Sequence, residues 1–156
     1  MPMIIVVMGV AGSGKTRIGR ILADRLQWPF LDADDFHPPE SIAKMASGVP
    51  LDDADRIPWL DAIHAALERV DHAVLACSAL KERYRERLRA GLDVRLVFLR
   101  ASREMVVERL RGREHFFPPE LIDSQFDTLE EPGDAIVIDA AEPPDSIIGE
   151  ITSRVS

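Results

Sequence analysis

The sequence predicts an α/β fold in three layers, α/β/α, with a five-stranded parallel sheet between two layers of helices. Two observations carry this. Five short apolar runs, at residues 3–8, 30–31, 73–77, 94–99 and 135–138, alternate with segments whose apolar residues recur at helical spacing. The first run is unbroken and rich in β-branched residues, as expected of a strand buried on both faces of a parallel sheet. Such strands are joined by right-handed crossovers, and their ligands lie beyond the carboxyl ends of the strands.

The first run leads into Gly9, Val10, Ala11, Gly12, Ser13, Gly14, Lys15 and Thr16, which fit G-x-x-x-x-G-K-[ST], the phosphate-binding loop. Three glycines let the backbone turn its N–H groups towards an anion, where a Cβ would obstruct. Lys15 adds a mobile cation for β- and γ-phosphates, and the Thr16 hydroxyl can ligate Mg²⁺. Ile18, Ile21, Leu22 and Leu26 then put the loop at the N-terminus of a helix over 17–26, where the helix dipole favours anions. A chance glycine-rich turn would lack this order of strand, loop and helix.

The second strand, 30–31, runs into the acidic stretch 32–37. A helix begins near Pro38 and Pro39, prolines being favoured in a first turn, and stops by Gly48. Residues 52–58 read as too polar and broken for a buried element, and a helix over 59–70 follows with Leu60, Ile63, Leu67 and Val70 on one stripe. After the third strand, Ser78 is a candidate N-cap for a helix ending near Gly91. The fourth strand leads to a helix over 102–111 that breaks at Gly112. A basic, aromatic loop, a helix over 118–126, the fifth strand and a closing helix over 146–155 complete the chain.

At 156 residues, with no repeat or linker, the chain reads as a single domain, 1–156. Hydrophobic content of 46% with 29% charged residues excludes a disordered or membrane class. No apolar run approaches the roughly 20 residues that span a bilayer, and the opening run lacks the flanks of a signal peptide. Cys77 is alone, which rules out an internal disulfide and fits a reducing, cytoplasmic setting. Net charge is 19 − 27 = −8, which argues against nucleic acid as a partner. An acidic chain that grips phosphate must therefore cluster its cations.

Four segments carry the chemistry. Asp32, Asp34, Asp35 and His37 would repel one another unless a cation or a hydrogen-bonding substrate joins them. One carboxylate could hold Mg²⁺ and another accept a proton from an attacking hydroxyl, or the stretch is an acidic turn capping the next helix. Arg56, in a proline-braced loop, suits bidentate binding of carboxylate or phosphate, or else pairs with a neighbouring Asp. Lys81 and Arg85 share a helix face at i and i+4, for an anionic ligand or as part of an ion-paired surface helix. Arg109 and Arg113, before a glycine-hinged flap, suit a lid that closes over a nucleotide. Cys77 reads as a small buried hydrophobe, and Phe116, Phe117 and Phe126 as packing.

Together these segments resemble the gluconate kinases (gluconokinases), among the small P-loop kinases related to shikimate kinase. The matching stretches are 9–16, 32–37 (D-A-D-D-F-H), 44–45 (K-M), 48–51 (G-V-P-L), 55–60 (D-R-I-P-W-L) and 77–81 (C-S-A-L-K). They continue with Tyr84 and Arg85, 109–113 (R-L-R-G-R), 115–121 (H-F-F-P-P-E-L) and 124–126 (S-Q-F), so they span nearly the whole chain. The resemblance implies a P-loop kinase fold with a small arginine-bearing lid at about 110–122. It implies ATP- and Mg²⁺-dependent phosphorylation of D-gluconate to 6-phosphogluconate by a cytoplasmic homodimer.

Carried over by residue, 12–16 would hold the phosphates, with Thr16 and Asp32 at the metal. Lys15, Asp34, Arg109 and Arg113 would be catalytic. Asp34, His37, Arg56, Lys81 and Arg85 would bind the acceptor. Where the family commonly has Asn four residues after the His, this chain has Ser41, with one fewer hydrogen-bonding arm, which bears on the aldonate preferred. The loop after 125–132 is short, which bears on the adenine pocket. A kinase of another small acceptor, such as another aldonate, shikimate or a nucleoside monophosphate, and a nucleotide-binding switch are the rival readings.

Overall fold

The computed structural model describes residues 2–111 and 119–155. Strands β1 (Met3–Met8), β2 (Phe30–Asp32), β3 (His72–Ala76), β4 (Val94–Arg100) and β5 (Ile136–Asp139) pair in parallel throughout, in the order β2-β3-β1-β4-β5. The helices are α1 (Lys15–Leu26), α2 (Pro39–Ala46), α3 (Asp53–Leu67), α4 (Glu82–Arg89), α5 (Arg103–Arg111), α6 (Pro119–Thr128) and α7 (Pro144–Val155).

The alternation within β1 explains the layers. Ile4, Val6 and Met8 pack against Trp59, Leu60, Ile63 and Leu67 of α3 and Tyr84 and Leu88 of α4. Ile5 and Val7 face the other way, onto Ile18 and Leu22 of α1 and Ile147, Ile148 and Ile151 of α7. Ile5 is fully buried, and its replacement by Ala should cost about 2–5 kcal/mol. A third cluster, Val10, Leu80, Val106, Leu110 and Ile122, packs α5 and α6 beside the phosphate loop.

Two expected elements differ. Residues 53–58 are the first turns of α3 and not a broken loop, because Asp52 and Asp55 close a reciprocal capping box. The Asp55 N–H donates to Asp52 Oδ1 at 2.8 Å, and the Asp52 N–H to Asp55 Oδ2 at 3.0 Å. Pro58, inside the helix, forgoes one backbone bond, which the capping box and the burial of Trp59 and Leu60 outweigh. Helix α4 starts at Glu82, whose N–H donates to Glu130 Oε1 at 3.0 Å, so Lys81 and not Ser78 stands at the N-cap position; residues 77–81 stay irregular, with Ala79 at φ 45°. Arg113 and the core of the expected lid, residues 112–118, lie outside the described residues.

Candidate active site

The phosphate loop leaves β1 at Met8 and enters α1 at Lys15, at the carboxyl end of the central strand. Gly12 and Gly14 hold φ of 81° and 95°. A Cβ on Gly12 would come within 3.2 Å of Leu110, and one on Gly14 within 3.3 Å of Arg109 Nη1, so the glycines let α5 settle against the loop. Ser13 is buried and its Oγ has no partner among the described residues. An orphaned hydroxyl beside the free N–H groups of a helix N-terminus is a lining that an oxyanion completes. Lys15 Nζ folds back towards the Val10 carbonyl at 3.5 Å.

Asp32 ends β2 and caps a turn within the acidic stretch, not the helix that follows it. Its Oδ1 accepts the Asp34 N–H at 3.0 Å, capping a 3-10 turn over Ala33–Phe36, while its Oδ2 accepts from Thr16 Oγ1 at 3.1 Å. Two hard oxygen donors beside a phosphate loop suit Mg²⁺, which takes the rest of its shell from phosphates and water. Among the described residues no larger cluster of His, Cys, Asp or Glu is arranged for a metal.

Two clefts meet at the loop. The first, about 290 Å³, is lined by Ala11, Lys15, Asp34, His37, Arg56, Ser78, Ser124 and Gln125, with Ile42, Met45, Leu51, Trp59 and Leu121 as its apolar wall. The second, about 320 Å³, is lined by Gly12, Ser13, Gly14, Arg17, Arg109, Glu142 and Pro144 among others. Both volumes suit small ligands. Arg109 Nη1 donates to the carbonyls of Gly12 (3.2 Å) and Ser13 (2.9 Å), and Nη2 to Ala140 at 3.0 Å, so it bridges the loop and the segment after β5.

In the first cleft, Trp59 Nε1 donates to the Ala33 carbonyl at 2.7 Å, and the His37 ring stacks on Trp59 at 4.4 Å. The His37 side chain is 7% exposed, and its Nε2 lies 3.9 Å from Asp34 Oδ1. Burial pushes this imidazole below the ordinary histidine range; Asp34 opposes the shift and Arg56 adds to it. Asp34 itself is 75% exposed at the mouth. Arg56 is 9% exposed, donates from Nη1 to Tyr84 Oη at 2.9 Å, and makes no ion pair among the described residues. The expected alternative, a surface turn with Arg56 on a neighbouring Asp, is therefore not what forms.

Lys81 and Arg85 are corrections, for neither lines the cleft. Because α4 begins four residues after Ser78, Arg85 turns inward beneath the loop 77–81. It is 1% exposed, with Nη1 on the Ala79 carbonyl at 2.7 Å and Nη2 on the Glu130 carbonyl at 2.9 Å. It clamps that loop to the segment that follows α6. Lys81 Nζ is held by Asp53 Oδ1 at 3.2 Å. Cys77 is a buried hydrophobe as expected, and burial pushes its thiol up to about 12.

Sequence reasoning missed Gln125 as a site residue. Its Oε1 accepts the Ala11 N–H at 2.9 Å, so α6 reaches into the phosphate loop across 114 positions of sequence. No local pattern announces such a contact. Trp59 stood only at the start of a helix and as the tryptophan of the D-R-I-P-W-L stretch, yet its ring forms the floor under His37.

A phosphate loop set between two clefts, each carrying cationic side chains, defines a P-loop phosphotransferase. The family model for shikimate kinase matches residues 11–153. The gluconokinase of Gluconobacter oxydans is 45% identical over 96% of this chain and 89% of its own length. The thermoresistant gluconokinase of Escherichia coli is 40% identical over 93% and 89%. A gluconokinase structure from Sinorhizobium meliloti superposes with a TM-score of 0.89 at 42% identity, covering 97% of this chain and 90% of that one. The chain belongs to the gluconokinases, a branch of the shikimate-kinase-like P-loop kinases.

Proposed function

We propose that this protein transfers the γ-phosphoryl group of ATP to the 6-hydroxyl of D-gluconate, giving 6-phospho-D-gluconate. The observation that carries the reading is Arg56, a nearly buried guanidinium without a carboxylate partner among the described residues, in a cleft shared with Lys15 and Asp34. Such a charge is costly to bury unless a ligand completes it, and the carboxylate of a sugar acid does so bidentately. A nucleobase would instead call for an aromatic-walled slot, and Trp59 is already covered by His37.

ATP lies with its phosphates on the loop 9–16 and its nucleoside in the second cleft, where Arg109 and Arg17 face it. The acceptor carboxylate lies on Arg56, so the far hydroxyl reaches Asp34 and Lys15. Asp34 orients that hydroxyl or takes its proton, and Lys15 with Arg109 balances charge on the transferring group. Thr16 and Asp32 would hold Mg²⁺, which would supply charge neutralisation on the phosphates. His37, neutral at pH 7, offers a hydrogen bond to a polyol hydroxyl. Arg113 joins Arg109 in the lid, and the enzyme works as a cytoplasmic homodimer, both by family resemblance. Among the described residues no helix is long and apolar enough to cross a membrane.

A coupled ADP-release assay across gluconate, other aldonates, shikimate and nucleoside monophosphates tests this. Gluconate is expected to give the highest kcat/KM. Turnover of shikimate or a nucleoside monophosphate above that of every aldonate would overturn it.

A further inference from the structure

The Arg56 guanidinium is one hydroxyl group away from a carboxylate that does not neutralise it. Tyr84 Oη accepts from Arg56 Nη1 at 2.9 Å and donates its own proton to Asp53 Oδ1. Asp53 is further held by Lys81 Nζ on Oδ1 at 3.2 Å and by Arg83 Nη2 on Oδ2 at 2.9 Å. Tyr84 is 4% exposed, and the Arg56 guanidinium carbon lies 5.2 Å from the centroid of its ring.

Left to itself, a nearly buried arginine beside an aspartate forms a bidentate ion pair, stronger than a bond to a neutral group. Here the neutral phenol stands between them. Burial, and the bond to Asp53, hold the phenol above the ordinary tyrosine range, so it stays protonated. Lys81 and Arg83 occupy the Asp53 carboxylate from its other sides. Arg56 is thus fixed in direction by a hydroxyl while its charge remains available to the cleft.

We propose that Tyr84 and Asp53 form a positioning pair that aims Arg56 and keeps its charge free for the carboxylate of the acceptor. The inference rests on the reading of the first cleft as a sugar-acid site. Tyr84 does not touch the acceptor; it acts through Arg56.

Steady-state kinetics of the wild-type enzyme, Tyr84→Phe and Tyr84→Phe/Asp53→Asn, with gluconate and ATP varied separately, decide it. Without the hydroxyl, Asp53 draws Arg56 away. Tyr84→Phe should therefore raise the gluconate KM about tenfold, the scale of one charge-assisted hydrogen bond, with the ATP KM within about twofold. Neutralising Asp53 in that background should recover at least about a third of the loss on a logarithmic scale, because the competing charge is gone. A merely structural role would move both KM values and kcat together, and the second substitution would worsen them; that result overturns the proposal. Should Tyr84→Phe fail to fold, Arg83→Met on the exposed side frees one Asp53 oxygen. It should raise only the gluconate KM, by about twofold to threefold, and an unchanged value there overturns the pair. A wild-type enzyme inert to gluconate but active on another carboxylate acceptor overturns the functional reading alone, and the same variants on that acceptor then decide the pair. Inertness towards every carboxylate acceptor overturns both.

Discussion

Thr16 Oγ1 donates a hydrogen bond of 3.1 Å to Asp32 Oδ2, tying the first turn of α1 to the end of β2 across the strand between them. Both oxygens suit a hard cation, and neither side chain is needed for the core, where β2 is only half-buried. Asp32→Asn keeps one acceptor oxygen, for the Asp34 N–H, removes the charge, and turns an NH₂ donor towards the Thr16 hydroxyl, which can rotate to accept it. We expect kcat to fall about 10²-fold or more, the scale of a lost electrostatic contact in a transition state, and the Mg²⁺ concentration for half-maximal rate to rise. An unchanged Mg²⁺ dependence would remove Asp32 from the metal.

Lys15 makes only a 3.5 Å contact with the Val10 carbonyl, so its removal leaves no buried partner stranded. Lys15→Met should then abolish turnover while the thermal unfolding midpoint stays within a few degrees of wild type. An active, folded Lys15→Met variant would sink the phosphoryl-transfer scheme.

Gln125 offers a sharper test, since its Oε1 holds the Ala11 N–H at 2.9 Å from the acceptor side of the loop. Gln125→Glu preserves the acceptor oxygen but sets a negative charge where phosphate must lie, and Gln125→Ala only removes the bond. Repulsion between like charges at close range should make Glu the worse substitution, lowering kcat/KM for ATP about tenfold or more. Glu equal to or better than Ala would show that the amide serves α6 packing and not the phosphate loop.

The legible and illegible parts of the site differ in how far their contacts reach along the chain. The loop 9–16 could be read because strand, glycines and helix follow one another, and β1 betrayed its two-faced burial by an unbroken apolar run. Asp32 and Asp34 follow one another at the carboxyl end of β2, two strands from β1, so their place on the same rim could be read from the order of strands. The start of α3 was hidden because its stabilising groups, Asp52 and Asp55, look like loop residues until they are seen to cap each other. Arg85 misled for the opposite reason: periodicity gave its helix face, but the irregular loop 77–81 moved the helix start and turned the guanidinium inward. Gln125 on Ala11 and Tyr84 on Arg56 join distant segments, and no spacing rule finds such pairs.

His37 makes stability depend on pH in a window of its own. Its imidazole is pushed below the ordinary 6.5, chiefly by burial against Trp59, with Asp34 opposing and Arg56 assisting. As pH falls past 6.5 the unfolded chain takes up this proton first, while the folded protein resists, so the balance shifts towards unfolding. Above that pH both states are neutral at His37 and no dependence arises. Asp53, Asp55 and Asp61 act elsewhere: their carboxyls are held below 3.8 by Tyr84, Lys44 and Arg87 respectively, so their contribution is present above 3.8 and lost only as pH falls lower still. Denaturant unfolding of wild type and His37→Gln at pH 7.5, 6.5 and 5.5 separates the two windows. The wild-type midpoint should drop more than the variant's between pH 6.5 and 5.5, with parallel behaviour between 7.5 and 6.5. Parallel curves over the whole range would mean that the His37 ring takes up its proton in the folded cleft as readily as in the open chain.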